Sequence, residues 1–467
     1  MNHSVTPKKQ ASRLPTPAQL KKWDCRYVWH PFTQMQEWPT EPPLIIDRAK
    51  GVYLFDQQGR KYLDGISSMW VNIHGHRHPV IDRAIRRQLR RVAHSTLLGL
   101  ANPPSILLAK ELIRLAPPGL TKVFFSDNGS TAVEIALKMA VQYWQQHNPA
   151  AGTKHTFVRL EAAYHGDTVG SMSVSGVELF QQRFRPLLFP CLSVPAPYCY
   201  RCPIGLTYPR CDLACVSPLE QVLAKRHSDI AGVIIEPMVQ AVAGMITQPP
   251  GYLRRIREVC THYNVLLIAD EVATGFGRTG KMFACDHERV SPDLMVLAKG
   301  LTGGYLPLAA TLATERIYEA FLGKYEEFKT FFHGHSYTGN ALACAAALAN
   351  LELFRVERTL TRVQMHAKRL ARLLDPLRQY PCVGEIRQCG LMVGIELVQD
   401  HVTRTPLPLT ARVGQRVARA ARARGLIIRP IGNVVLLVPP LITTSGQLQQ
   451  MVSILSESIQ IVSSQIQ

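Results

Sequence analysis

No apolar run in this 467-residue chain approaches the roughly 18 residues of a membrane-spanning helix, and no apolar signal core is present. A soluble, cytoplasmic protein is expected. Acidic side chains are scarce, 34 against 53 lysines and arginines, for a net charge of +19. None precedes Asp24, whereas Lys8, Lys9, Arg13, Lys21 and Lys22 do. Such a stretch is similar in composition to a mitochondrial presequence, but Pro7, Pro15 and Pro17 would break the amphipathic helix such a signal needs. Residues 1–22 are therefore expected to form a flexible basic tail. Internal repeats, zinc-finger spacings, RNP aromatic motifs and basic zippers are also missing. Those absences weigh against a nucleic-acid-binding module, which the charge alone would allow. The arginine-rich stretches 83–91 (RAIRRQLRR) and 412–424 (RVGQRVARAARAR) interleave apolar residues at helical spacing. Each reads as a helix with one packed and one wetted face.

What is present is a hydrophobic fraction of 46%, enough for a substantial core. From 122 onward the pattern alternates between strand and helix. Strands are expected at 123–126, 156–160, 232–235, 265–269, 294–298 and 306–313, with helices at 131–146 and 340–354. This predicts an α/β domain at 81–354 with a mostly parallel, doubly covered sheet. Segments 44–46, 52–55 and 61–63 suggest a small antiparallel sheet, so that 23–80 joins a smaller α+β domain formed by 355–467. That domain is expected to carry strand-bearing segments at 386–397 and 425–439.

The runs VLLIA (265–269) and LMVLA (294–298) end at Asp270-Glu271 and at Lys299. Parallel strands place their C-terminal ends at a ligand crevice, so a carboxylate and an amine should share one pocket. An ammonium pushed out of water titrates lower and becomes a nucleophile. Lys299 is thus a candidate to carry an aldehyde cofactor as a Schiff base, with Asp270 supporting a ring nitrogen. Asn128-Gly129-Ser130 lies between a strand and a helix start, a natural seat for phosphate, although such residues cap helices widely. Tyr164, in YHGD, could stack on a flat heterocycle or stand in an ordinary turn. Glu236 ends another strand and would join the acidic row. Three acids could suggest a divalent metal, but a lysine among them argues otherwise. Arg429 could clamp a carboxylate or be a surface charge. The turn HGHSY at 333–337 suits contact with an anion better than helical zinc ligation.

Of eleven cysteines, Cys199, Cys202, Cys211 and Cys215 cluster with C-x2-C-x8-C-x3-C spacing in a proline-rich insertion near 197–217. A structural zinc is one expectation and a loop of free thiols the other.

Taken together, DEVATGFGRTGK followed by AKGLTGGYLP resembles the signature of the class III aminotransferases, pyridoxal-phosphate enzymes of fold type I. The resemblance covers 29–440. It implies Lys299 as the cofactor-bearing lysine and Asp270 as partner of the pyridinium. It further implies Gly129 and Ser130 at the phosphate, Tyr164 over the ring and Glu236 at its polar side. His335 and Ser336 would reach the cofactor of a neighbouring subunit in an obligate homodimer, and Phe32, Met69, Trp70, Gly334 and Arg429 would line the substrate site. The stretches WHPFTQM, LDGISSMWVNIHGH, YHGDT, FACDHERVSPD and HGHSYTGNALACAAA narrow the resemblance to members acting in biotin synthesis. These would aminate the keto group of 8-amino-7-oxononanoate, with S-adenosylmethionine or lysine as amino donor. Within the family the alternative is a transaminase of ω-amino acids or diamines. Phe32 and Met69 depart from the Tyr and first Trp common in the family, and His335-Ser336 replaces a common Pro-Thr.

Overall fold

The computed structural model describes residues 15–41, 43–147 and 154–465. Most of the expected tail lies outside these. Its last part does not read as flexible, because Pro17–Tyr27 is a helix. Thr16 caps that helix, its Oγ1 accepting from the Gln19 amide at 3.2 Å. Gln19 Oε1 accepts the Thr16 amide in return at 2.8 Å. Pro17 stands at the first helical turn, where the N–H it lacks would have had no partner. Proline starts this helix where it was expected to break one.

The seven-stranded sheet that positions the site consists of β1 (Leu120–Ser126), β2 (Thr156–Leu160), β3 (Leu192–Val194), β4 (Ile230–Ile235), β5 (Leu266–Asp270), β6 (Leu294–Leu297) and β7 (Ala309–Thr314). Their order is β1-β7-β6-β5-β4-β2-β3. All neighbours from β3 to β6 are parallel, while β7 runs antiparallel to both β6 and β1. Every residue of β4, β5 and β6 is buried, as continuous apolar strands covered on both faces must be. The helix Gly129–His147 lays Ala132, Val133, Ala136, Leu137, Ala140 and Trp144 against one face. The indole of Trp144 donates to the Ala231 carbonyl at 2.9 Å. Strand β7 starts at Ala309, later than expected, because 306–308 turn away around Pro307 to wall the site.

Ile46–Lys50, Tyr53–Asp56 and Lys61–Asp64 form an antiparallel sheet, and Leu426–Ile427 adds to its last strand in parallel. The N-terminal segment and the C-terminal chain therefore share backbone hydrogen bonds. A second sheet is made by Val383–Cys389, Met392–Asp400, Val434–Leu437 and Arg429–Ile431. The strand-bearing segment expected at 386–397 falls within a hairpin of two strands, Val383–Cys389 and Met392–Asp400. Gly390 breaks it at φ +60°, pressed so closely on Arg278 and Thr279 that a Cβ would collide with their backbone.

Candidate active site

The C-terminal ends of β4, β5 and β6 bring Glu236, Asp270 and Lys299 to one cavity of about 530 Å3. Lys299 leaves β6 in a left-handed conformation, φ +43°, after the extended Ala298. That turn drives the amine into the interior, where its Nζ sits 4.9 Å from the centroid of the Trp70 ring. Burial lowers its pKa; Asp270 and Glu236 oppose the shift and the Arg278 guanidinium adds to it.

Asp270 is 4% exposed and its two oxygens are separately engaged. Oδ1 accepts the Val272 amide at 3.0 Å, and Oδ2 lies 2.7 Å from His165 Nδ1. His165 donates its backbone N–H to Ser175 Oγ at 2.8 Å, while its buried Nε2 finds no partner among the described residues. Glu236 Oε1 accepts the Tyr164 amide and Oε2 the Ala241 amide, both at 2.9 Å. Burial pushes the Glu236 carboxyl up to about 7.

The helix Gly129–His147 points its N-terminus at the same cavity, with Asn128 Oδ1 accepting the Thr131 amide at 3.1 Å. A Cβ on Gly129 would come within 2.8 Å of Val272 Cγ1. Ser130 Oγ accepts the Asp167 amide at 3.1 Å and fills the space that a side chain on Gly166 would need. Tyr164 donates its hydroxyl to Asp167 Oδ2 at 2.7 Å, and burial raises its pKa. Val272 and Tyr305, with Leu306, Pro307 and Leu308, complete the walls.

Lys299, Asp270, Gly129, Ser130, Tyr164 and Glu236 thus meet in one place. Trp70 faces the amine from a turn of four successive left-handed residues, Ser67 to Trp70, which leaves Met69 37% exposed. Phe32 and Arg429 line a neighbouring groove of about 720 Å3 instead. Gly334, His335 and Ser336 lie in the turn before the helix Ala341–Val356, outside the cavity. There the Tyr337 amide donates to His335 Nδ1 at 3.2 Å, and Ser336 faces outward. His165, Val272 and 305–308 were not assigned to a site from sequence, whereas Asn128 belongs to the turn expected to seat phosphate. His165 follows Tyr164 in the same motif, which was its one available signal.

The cysteine expectation needs correction. Cys199, Cys202, Cys211 and Cys215 border a single small void. Yet among the described residues no three His, Cys, Asp or Glu side chains form a group able to hold a metal. Burial pushes the Cys215 thiol up to about 11, favouring the protonated sulfur. A structural zinc is not supported, and all eleven cysteines are free.

With this geometry in place, comparison with known proteins is decisive. The family model described as aminotransferase class-III matches residues 34–459. The chain belongs to the class III aminotransferases. Among curated relatives of this class III chain, the adenosylmethionine-8-amino-7-oxononanoate aminotransferase of Nitratidesulfovibrio vulgaris is 54% identical over 447 residues. That alignment covers 96% of this chain and 82% of the relative. The crystal structure of the enzyme of the same name from Methanocaldococcus jannaschii superposes with a TM-score of 0.90 at 45% identity, covering 95% of this chain and 98% of that one. An omega transaminase from Pseudomonas jessenii, solved in complex with PMP, gives a TM-score of 0.91 at 32% identity. The coverage is 96% of this chain and 99% of the other.

Proposed function

We propose that this aminotransferase uses pyridoxal 5'-phosphate to convert 8-amino-7-oxononanoate to 7,8-diaminononanoate in biotin synthesis, with S-adenosylmethionine or lysine as amino donor. The observation that carries the reading is the convergence of a desolvated Lys299 amine, the His165-bound Asp270 and the Gly129 helix terminus on one cavity. The names of relatives at about half identity over nearly the whole chain supply the substrate.

The residues present fit the cofactor. Lys299 offers an amine whose charged form burial disfavours, suited to bond an aldehyde. Asp270 would hold the proton of a ring nitrogen, and His165 keeps that carboxylate oriented. Gly129 and Ser130 would seat the phosphate on the helix N-terminus, where close backbone approach replaces a side chain. Tyr164 and Val272 wall the space between. When bound, the cofactor supplies an electron sink for a carbanion next to nitrogen. The chain's own part is to place and move protons. The Lys299 amine would carry the proton from the donor's carbon to the carbon that was the cofactor's aldehyde, while Trp70 beside the amine and the apolar walls would limit water.

A homodimer sharing its active sites and a cytoplasmic location belong to the same proposal. Leu98, Leu100, Ile106, Leu107, Phe332 and Tyr337 are large, exposed and apolar around the turn that holds His335 and Ser336. A Cβ on Gly334 would lie 3.7 Å from Leu98 Cδ2, so the turn sits on that apolar face. A second subunit covering it would bury His335 and Ser336 with it. No helix among the described residues is long and apolar enough to cross a membrane.

The likeness to an omega transaminase favours one second reading, an amine transaminase of other specificity. A panel of amines separates the two. Under the main reading S-adenosylmethionine or lysine converts the bound cofactor to its amino form, and 8-amino-7-oxononanoate regenerates the aldehyde. Conversion by 4-aminobutyrate or diamines, with no response to 8-amino-7-oxononanoate, would favour the second.

A further inference from the structure

The cysteine-rich insertion and the active-site wall are joined by a buried ionic cluster. Arg387, 3% exposed, is its centre. Its Nη1 lies 2.6 Å from Glu396 Oε2, Glu385 Oε2 and the Tyr198 hydroxyl. Its Nε and Nη2 both donate to the Gly244 carbonyl, at 3.1 and 2.8 Å. Glu396 is held from the insertion: Tyr198 donates its hydroxyl to Oε2, and Arg201 donates to Oε1 at 2.8 and 2.7 Å. Burial would raise the Glu396 carboxyl, but bonds from Tyr198, Arg387 and Arg201 hold it below the usual carboxylate range.

Gly244 turns the hairpin between Val239–Gln240 and Ile246–Thr247 at φ +92°, packed so tightly that a Cβ would meet Val434 Cγ2 at 2.9 Å. The same hairpin lines the catalytic cavity with Ala241 and Val242, and the Ala241 amide holds Glu236 Oε2. Gly244 and Met245 close the turn by donating to the Ala241 carbonyl at 3.3 and 3.1 Å. Displacing Gly244 therefore moves the group that holds Glu236. A guanidinium buried this deeply is tolerated only while its carboxylates stay in place. Tyr198 and Arg201 keep one of them there.

We infer that Arg387 is a positioning residue for the reaction, and that the cysteine-rich insertion acts through Tyr198, Arg201 and Glu396 to set the 239–247 hairpin against Glu236. The kinetic half of this inference rests on the proposed function; the structural half does not. The test uses the full chain with Tyr198→Phe, Arg201→Met and Arg387→Lys. In the cofactor-free protein, amide hydrogen exchange at Gly244 and Met245 should rise about tenfold or more in each variant. In the loaded enzyme, kcat/KM should fall roughly ten- to a hundredfold, since small displacements remote from the chemistry cost that much. Arg387→Lys should be the most severe, because one ammonium cannot replace a fork bound to a carbonyl and two carboxylates. Should Arg387→Lys not fold, Tyr198→Phe, which loses a single hydroxyl, carries the test. Unchanged exchange at Gly244 and Met245, or wild-type kinetic constants, alongside a lower melting temperature would overturn the inference and leave a purely structural strap. A wild-type protein inactive on 8-amino-7-oxononanoate contradicts the proposed function instead, and the exchange measurement still decides the structural claim.

Discussion

His165 Nδ1 stands 2.7 Å from Asp270 Oδ2 with both side chains out of water, and the other ring nitrogen of His165 is buried without a partner among the described residues. A carboxylate in this state is fixed in direction before any ligand arrives. Replacing His165 by Phe keeps the volume and removes the bond. A hydrogen bond to a charged group contributes about 1.5–3 kcal/mol, so kcat should fall roughly ten- to a hundredfold with cofactor still bound. Steady-state kinetics together with the absorbance of the bound cofactor check this.

Gly129→Ala tests the proposed phosphate seat. The new methyl would press on Val272 at 2.8 Å, so the wall or the helix start must shift. Overpacking of this kind costs about 1–3 kcal/mol, and the dissociation constant for pyridoxal phosphate should rise tenfold or more. Equilibrium dialysis measures it.

Glu236 gives a pH dependence with a definite sign. Its carboxyl is raised by burial from the usual 4.5 to about 7 in the folded protein. The folded state then holds a proton that the unfolded state releases. The associated stability is complete below pH 4.5 and is lost as pH rises through about 7. Glu236→Gln removes this loss. Cofactor-free Glu236→Gln should therefore gain on wild type in melting temperature between these two pH values, while Glu271, also raised to about 7, contributes equally to both.

Arg429 and Phe32 share the groove beside the cavity. If Arg429 receives the carboxylate of the substrate, Arg429→Met should raise KM for 8-amino-7-oxononanoate about tenfold and change kcat little. Initial-rate kinetics with the donor saturating report both constants.

The strands were legible because their side chains carry the pattern. Thr156–Leu160 was expected at its observed bounds, since a short apolar run between turn signals has few other uses. Asp270 and Lys299 followed from the rule that parallel strands end at a crevice. The bond between His165 and Asp270 spans 105 residues of sequence, and no local signal encodes it. Nor could sequence orient Met69. Ser67, Ser68, Met69 and Trp70 adopt φ of +47°, +41°, +73° and +69°, a left-handed turn costing about 1–2 kcal/mol per residue. Tertiary bonds stabilise it, with Ser67 Oγ donating to the Val438 carbonyl at 2.6 Å and Ser68 Oγ to Asp64 Oδ2 at 2.9 Å. Cysteine spacing misled for a related reason: four thiols near one void need not converge on a point.

The most direct test follows an isotope-labelled amino group from donor to product in wild type and in Lys299→Ala, with 8-amino-7-oxononanoate as acceptor. The account predicts labelled 7,8-diaminononanoate from wild type with S-adenosylmethionine or lysine, and none from Lys299→Ala. Equal labelled product from both proteins would contradict it.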